Sequence, residues 1–311
     1  MSWPRVCGPM VKNMQRKIQA KKRGNALGFW FFRTALRFFG LRGTYGFLYF
    51  VCLYYLIFDQ EAVAGAAAYV KRRFPADSGI KAYLHIYRLF VSQGKQLVDR
   101  YSALSGLRQF EVTMQGYEKL MAMAGQSGRG FILLTAHFGN WQIAMSSLKE
   151  IGKTVYLLMR PQDNQALEGA LRLSGAGPNI KLISPESDLG GVVAVMSALE
   201  QGCIVSIMGD RSYDFNCLAV DFLGGKAKFP YGAFAVAAAC CVPVVVLLSA
   251  KVGHGRYRVD AASVFAPVYR GGQDKKEQLK GYVQVFAARL ESFARQYPYQ
   301  CFLFQDIWEN R

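Results

Sequence analysis

The sequence predicts an α/β protein, a layered sandwich with a central mostly parallel or mixed sheet flanked by helices, preceded by a membrane-associated helical hairpin. Three observations carry this expectation. Short apolar runs alternate with helical stretches from about residue 131 onward, helical spacing fills 62–108, and the first sixty residues are basic and aromatic.

Taken in chain order, residues 1–60 come first. Arg5, Lys12, Arg16, Lys17, Lys21, Lys22, Arg23, Arg33, Arg37 and Arg42 all precede the first acidic residue, Asp59. This basic run leads directly into aromatic sequence, a pattern of membrane-surface segments rather than nucleic-acid arms. The stretch YGFLYFVCLYYLIF at 45–58 carries no charge, and extending it back to Phe38 takes in Arg42. A bilayer span needs about twenty apolar residues, so a hairpin embedded from the cytoplasmic side, over about 26–58, fits better. A secretory signal peptide is the rival reading, but no small-residue cleavage pattern closes the segment and the basic lead is long.

Residues 62–108 place Tyr83, Ile86, Tyr87 and Phe90 at three- and four-residue spacing, as core contacts of scaffold helices. Strand-like runs follow at 131–136, 155–159, 180–184, 204–209 and 242–249, alternating with helical segments, so the sheet they form is largely buried. A polar loop, RGGQDKKEQ, then opens an amphipathic helix over about 276–296. The organisation is an anchoring segment, 1–60, and one catalytic-sized domain, 61–311.

Hydrophobic residues make up 52% of the chain, aromatics 14% and charged residues 19%, with a formal net charge of +17. That balance favours membrane contact and an anionic surface or substrate over a nucleic acid. The seven cysteines contain no CxxC pair and read as reduced thiols. None has a plausible histidine neighbour for nucleophilic catalysis. Neither GxGxxG nor GxxxxGK[ST] occurs, and no histidine or cysteine cluster suggests a metal, so no cofactor is expected.

The chemistry concentrates in FILLTAHFGNWQ, 131–142. An apolar strand ends at Ala136 and sets His137 at its carboxyl end, while Gly139 and Asn140 allow a tight turn and a helix cap. Such strand-to-helix turns present side chains at the sheet rim, where ligands bind. The other two histidines are less suggestive: His85 falls in a scaffold helix, and His254 lies between Gly253 and Gly255 in a hairpin turn. A lone histidine is usually structural.

The stretch TAHFGNW resembles the lysophospholipid acyltransferase superfamily, in its branch related to lipid A biosynthesis (lauroyl/myristoyl) acyltransferases. The resemblance continues in order through VYLLMRPQDN, with Arg160, Pro161 and Asn164, through Gly209-Asp210-Arg211, and through FLGGKAKFPYG at 222–232. It ends in the aromatic tail YPYQCFLFQDIW, 297–308. What it implies is transfer of a fatty acyl chain from acyl carrier protein or acyl-CoA to a hydroxyl or amine of a lipid A-like glycolipid or a lysophospholipid. It also implies a location on the cytoplasmic face of a bacterial inner membrane. His137 would take the acceptor's proton as the nucleophile attacks the thioester, a task suited to an imidazole. In the family an acidic residue five positions later bonds the other ring nitrogen.

At that position this sequence has Gln142. Gln can hold the ring through its carbonyl but supplies no charge. The departure leaves three explanations: a natural branch that tolerates Gln, an introduced Glu-to-Gln change, or a catalytically weakened lipid-binding protein on the acyltransferase fold. For substrate anchoring the resemblance points to Asn140, Arg160, Asn164, Asp210 and Arg211, with Gly224, Gly225 and Lys226 as a phosphate cradle. The plainer readings are a local Asp-Arg ion pair and an ordinary glycine turn.

Overall fold

The structure is a computed structural model describing residues 26–125, 128–146, 151–159, 180–187, 191–211, 216–272 and 274–309. In chain order its elements are α1 (Ala26–Phe58), α2 (Gln60–Arg73), α3 (Ile80–Leu104), β1 (Glu111–Gln115), α4 (Tyr117–Gly125), β2 (Phe131–Thr135), α5 (Trp141–Ser146), β3 (Val155–Leu158), β4 (Ile180–Ile183), α6 (Val192–Glu200), β5 (Ile204–Met208), β6 (Cys217–Phe222), β7 (Gly225–Pro230), α7 (Gly232–Cys240), β8 (Val244–Val246), β9 (Leu248–Gly253), β10 (Arg256–Asp260), β11 (Val264–Phe265) and α8 (Lys275–Gln296). The architecture is mixed α/β, and the chain divides into two compact units, Met1–Thr44 and Tyr45–Arg311.

The first unit holds the beginning of α1. Its helical geometry breaks at Gly40 (φ 62°, ψ −170°), and the Thr44 hydroxyl donates to the Gly40 carbonyl at 2.8 Å. Two helices thus meet at a kink at Gly40. The reason is local: glycine alone adopts this conformation without penalty, and good helix formers flank it. Among the described residues, Phe32–Phe58 is long and apolar enough to cross a membrane by length and composition, where the uncharged run alone was too short.

The second unit begins within the same helix. Residues 45–58 contribute Leu48 and Cys52 to buried positions while Phe50, Leu53 and Tyr54 stay exposed. Capping explains the next boundary: the Asp59 carboxylate accepts from the Ala62 amide at 3.0 Å, Glu61 sits in the first turn of α2, and Lys71, Arg72 and Arg73 sit in its last. Each placement complements the helix dipole. Helix α8 starts the same way, with Asp274 accepting from the Lys276 amide at 3.0 Å.

Six strands form the main sheet in the order β11-β8-β2-β5-β3-β4, parallel throughout except for β11 at the edge. All five residues of β2 are buried. Ile132 and Leu134 enter one apolar cluster with α2, α3, α7 and α8, while Phe131 and Leu133 enter another with α4 and β10. Each such side chain contributes roughly 1.5–3 kcal/mol through burial, and the period-two alternation commits β2 to the middle of the core. The sequence anticipated these strands within a few residues. The exception is the two-residue edge strand β11, and outside this sheet it did not anticipate β1, β6, β7 and β10, which carry exposed polar residues among their alternating positions. Of these, β1 and β10 join β9 in a three-stranded sheet, and β6 pairs with β7.

The turn after β2 leaves no room for a side chain at Gly139. Its φ is 58°, and a Cβ there would lie 1.7 Å from the Ser249 carbonyl oxygen. Gly224, at φ 75° in the β6–β7 turn, has nothing within 4 Å. Gly139→Ala is expected to cost about 2–5 kcal/mol, the sum of a left-handed penalty and a backbone overlap, against about 1–2 kcal/mol for Gly224→Ala. Thermal melts of the two variants check this; equal losses would contradict it.

Candidate active site

Strands β2 and β5 run parallel with Thr135 opposite Met208. Two residues beyond that pair, at the carboxyl ends of both strands, stand His137 and Asp210. The register alone brings them together. One carboxylate oxygen of Asp210 accepts from the His137 main-chain N–H at 2.7 Å, and the two oxygens lie 2.9 and 3.1 Å from His137 Nδ1. Gly209 makes the approach possible, because a Cβ there would fall 2.7 Å from Leu134 Cδ1 and 3.0 Å from Phe286 Cε1.

Asp210 is buried, whereas the His137 side chain is 27% exposed. Burial pushes the Asp210 carboxyl up. The charge and hydrogen bond of His137, the neighbouring Arg211 and the His137 amide more than offset that, and hold it below the usual carboxylate range. An ionised carboxylate only accepts, so Nδ1 carries a proton, and in the neutral form of the ring Nε2 keeps its lone pair. Among the described residues, no hydrogen bond occupies Nε2. The pair thus presents a reachable imidazole in a fixed tautomer, with a negative charge behind it to stabilise the imidazolium form.

The remaining candidates separate into groups. Gln142 lies half-buried in the first turn of α5, and the ring nitrogen that the five-residue spacing would give it is bonded to Asp210 instead. Asn140 is 2% exposed, and its amide is used internally. It donates to the Gln96 carbonyl at 2.9 Å and accepts from the Ile143 amide at 3.4 Å, capping α5. Arg211 follows Asp210 directly; it donates to the Phe302 carbonyl through Nη2, and its buried Nε has no partner among the described residues.

Gly224 and Lys226 lie apart from this group. They belong to the β6–β7 hairpin, where Lys226 pairs with Asp221 at 2.8 Å on an exposed surface. Arg160 and Asn164 lie outside the described residues. The other two histidines are engaged structurally. His85 bonds Tyr299 and Asp77 at 2.8 and 3.0 Å and stacks on Phe74, and His254, in the β9–β10 turn, meets Tyr45 edge-on.

Pairing Asp210 with His137 was beyond sequence reasoning, because the two are 73 positions apart. The signal was present in a weaker form: each stands just past the end of an apolar strand. Among the described residues, no group of three or more potential metal ligands occurs.

The depressed Asp210 pKa carries a consequence for stability. A carboxyl whose folded pKa lies below its unfolded value of about 3.9 adds stability above that value and loses it as pH falls through the folded pKa. The stability difference between the protein and Asp210→Asn should therefore shrink as pH drops from about 5 toward 3. Urea unfolding across that range measures it, and a pH-independent difference would contradict the assignment.

A search of the curated proteins returns no match for this chain. A family model does match, over residues 96–310, and its description is bacterial lipid A biosynthesis acyltransferase. The match takes in the β2–β5 pair and both residues of the dyad, and the chain belongs to the bacterial lipid A biosynthesis acyltransferase family.

Proposed function

We propose that the protein transfers a fatty acyl chain from an acyl carrier protein or coenzyme A thioester to a hydroxyl, or an amine, of a lipid A-like glycolipid or lysophospholipid acceptor. His137 is the general base, and Asp210 orients and charges it. The observation that carries this reading is the 2.9 Å contact between His137 Nδ1 and a buried Asp210 carboxylate, with the imidazole itself partly exposed. Family membership supplies the reaction class.

In the proposed step the acceptor O–H gives its proton to His137 Nε2 as its oxygen bonds the thioester carbon. The tetrahedral intermediate collapses, the C–S bond breaks, and the departing thiolate takes the proton back from the imidazolium. Arg211 supports this arrangement, since its unpaired Nε is a donor adjoining the dyad, suited to a phosphate or carboxylate of a substrate. The sheet, as the central layer of a sandwich, would hold the two strand ends at fixed separation. A site on the cytoplasmic face of the inner membrane is consistent with the apolar helix Phe32–Phe58 and with the basic residues before Asp59.

The reading of a weakened lipid-binding protein rested on the missing charge at position 142. Asp210 supplies a charge to the same imidazole, which favours the catalytic reading over that one. The test is an acyl-transfer assay with acyl carrier protein and coenzyme A thioesters against a panel of glycolipid and lysophospholipid acceptors. His137→Ala should lower the rate by about 10²–10⁴-fold, the usual contribution of a general base. Asp210→Asn should approach the roughly ten-thousandfold loss seen when the carboxylate of a serine-protease triad becomes an amide. Gln142→Ala should cost less than about tenfold, because a general-base loss of that size belongs to the groups bonded to the ring. Full turnover in His137→Ala would end the proposal, and a larger loss at Gln142 than at Asp210 would reassign the partner.

A further inference from the structure

Away from the dyad, a cleft of ≈ 770 Å³ opens between α3, the end of β9 and the segment after α8. That volume lies in the range of ligand-binding pockets, about 300–1,000 Å³. Helix α3 contributes Leu84, Tyr87, Arg88, Val91, Ser92 and Lys95, a single stripe at three- and four-residue spacing. This stripe sits beside the face that gives Ile86, Leu89 and Phe90 to the core.

The cleft is positively charged. Arg88, Lys95 and Lys251 line it, and no carboxylate does. Lys251 is neutralised from behind by buried Asp99, which also accepts from the hydroxyls of Tyr45 and Tyr257. Arg88 and Lys95 have only neutral partners among the described residues. The Arg88 guanidinium donates to the Tyr299 hydroxyl at 3.2 Å, and the Lys95 ammonium donates to the Tyr49 hydroxyl at 2.8 Å. Arg88 and Lys95 are therefore two cations without a carboxylate partner among the described residues, on one stripe of α3 in an open cleft.

The rim is apolar. Tyr49 and Leu84, 45% and 50% exposed, flank the opening. Beyond Tyr49 the exposed face of α1 continues through Phe50, Leu53, Tyr54 and Ile57. An anion site bordered by an exposed hydrophobic strip matches an amphiphile better than a soluble metabolite.

We propose that this cleft binds the anionic head group of a membrane phospholipid, with Arg88 and Lys95 taking the phosphate and Tyr49 and Leu84 meeting the first part of the acyl chains. Neither His137 nor Asp210 lines this cleft, and the proposal does not require that chemistry.

The test uses the full chain in neutral detergent, with short-chain phosphatidylglycerol, short-chain phosphatidylcholine and glycerol phosphate as probes, followed by calorimetry. Phosphatidylglycerol is expected to bind, and the other two at least about tenfold more weakly, since each lacks either the net charge or the apolar part. Arg88→Gln with Lys95→Gln should weaken phosphatidylglycerol about tenfold or more, and Arg88→Lys with Lys95→Arg should retain most of it. His137→Ala should bind as the parent does. Lys251 is left intact because its removal would strand the buried Asp99 carboxylate.

Phosphatidylglycerol binding that survives the double Gln change would overturn the proposal, as would glycerol phosphate binding equally well, which points to a soluble phosphate. Loss of binding in His137→Ala would place the lipid at the dyad and likewise overturn it. A photoreactive phosphatidylglycerol on the unaltered chain gives a readout independent of variant folding. Labelling within residues 84–95 and 296–300 is expected, and labelling confined elsewhere would refute the assignment.

Discussion

The site depends on one constraint, the parallel pairing of β2 with β5 in the register that sets Thr135 opposite Met208. A slip of one residue would turn the side chains of either strand to the other face. It would also separate His137 from Asp210. The register is protected by burial on both faces of β2, where Phe131 and Leu133 face one cluster and Ile132 and Leu134 another. Gly209 completes the arrangement, since its Cα hydrogen occupies space that a larger side chain would contest with Leu134 and Phe286.

Burying a carboxylate in such a place is costly unless its oxygens are bonded. Asp210 meets the requirement through the His137 amide and imidazole, with the charge of Arg211 nearby. The same solution recurs at Asp99, whose carboxylate is shared among Lys251, Tyr45 and Tyr257. The two sites differ in what is left over. Around Asp99 the donors are consumed by the carboxylate, and the cluster ties α1, α3, β9 and β10 of the second unit together. At Asp210 the ring retains a nitrogen without a hydrogen bond among the described residues, so only there does the network end in a group able to accept a proton.

Much of this was legible in the amino-acid sequence, and the limits have physical causes. The strands anticipated at 131–136 and 204–209 are those that carry His137 and Asp210, because a strand buried on both faces reads as an uninterrupted apolar run. His137 stood out as the residue following such a run. Asp210 was singled out only as a substrate anchor, not as the partner of His137, because strand adjacency is a tertiary fact: α5, β3, β4 and α6 intervene in sequence between β2 and β5. The five-residue spacing directed attention to Gln142, a local neighbour, while the charge came from across the sheet. Strands β6, β7 and β10 escaped for a related reason. Their lysines, arginines and aspartates on alternate positions face solvent and dilute the apolar signal.

The aromatic tail, 297–308, is best understood through the bonds it makes to the turn after β2. The Gly139 amide donates to the Gln300 carbonyl at 2.9 Å, and the Phe302 amide donates to the His137 carbonyl at 2.8 Å. Phe138 and Cys301 form an antiparallel bridge between them, and the Phe302 carbonyl accepts from Arg211. Three consecutive tail residues thus hold the main chain from the His137 carbonyl to the Gly139 amide, and one of them the guanidinium beside Asp210. The Gln300 side chain extends the same clamp, accepting from the Lys251 amide at 2.7 Å and donating to its carbonyl at 2.8 Å, while Gln96 donates to it at 3.1 Å. Rim turns are loops with few restraints of their own, so a side chain there keeps its geometry only where other elements hold the turn. The tail meets this turn through one isolated bridge and its flanking hydrogen bonds, and its Phe302 and Trp308 side chains pack into the core, so the contact rests on burial as well as on hydrogen bonds.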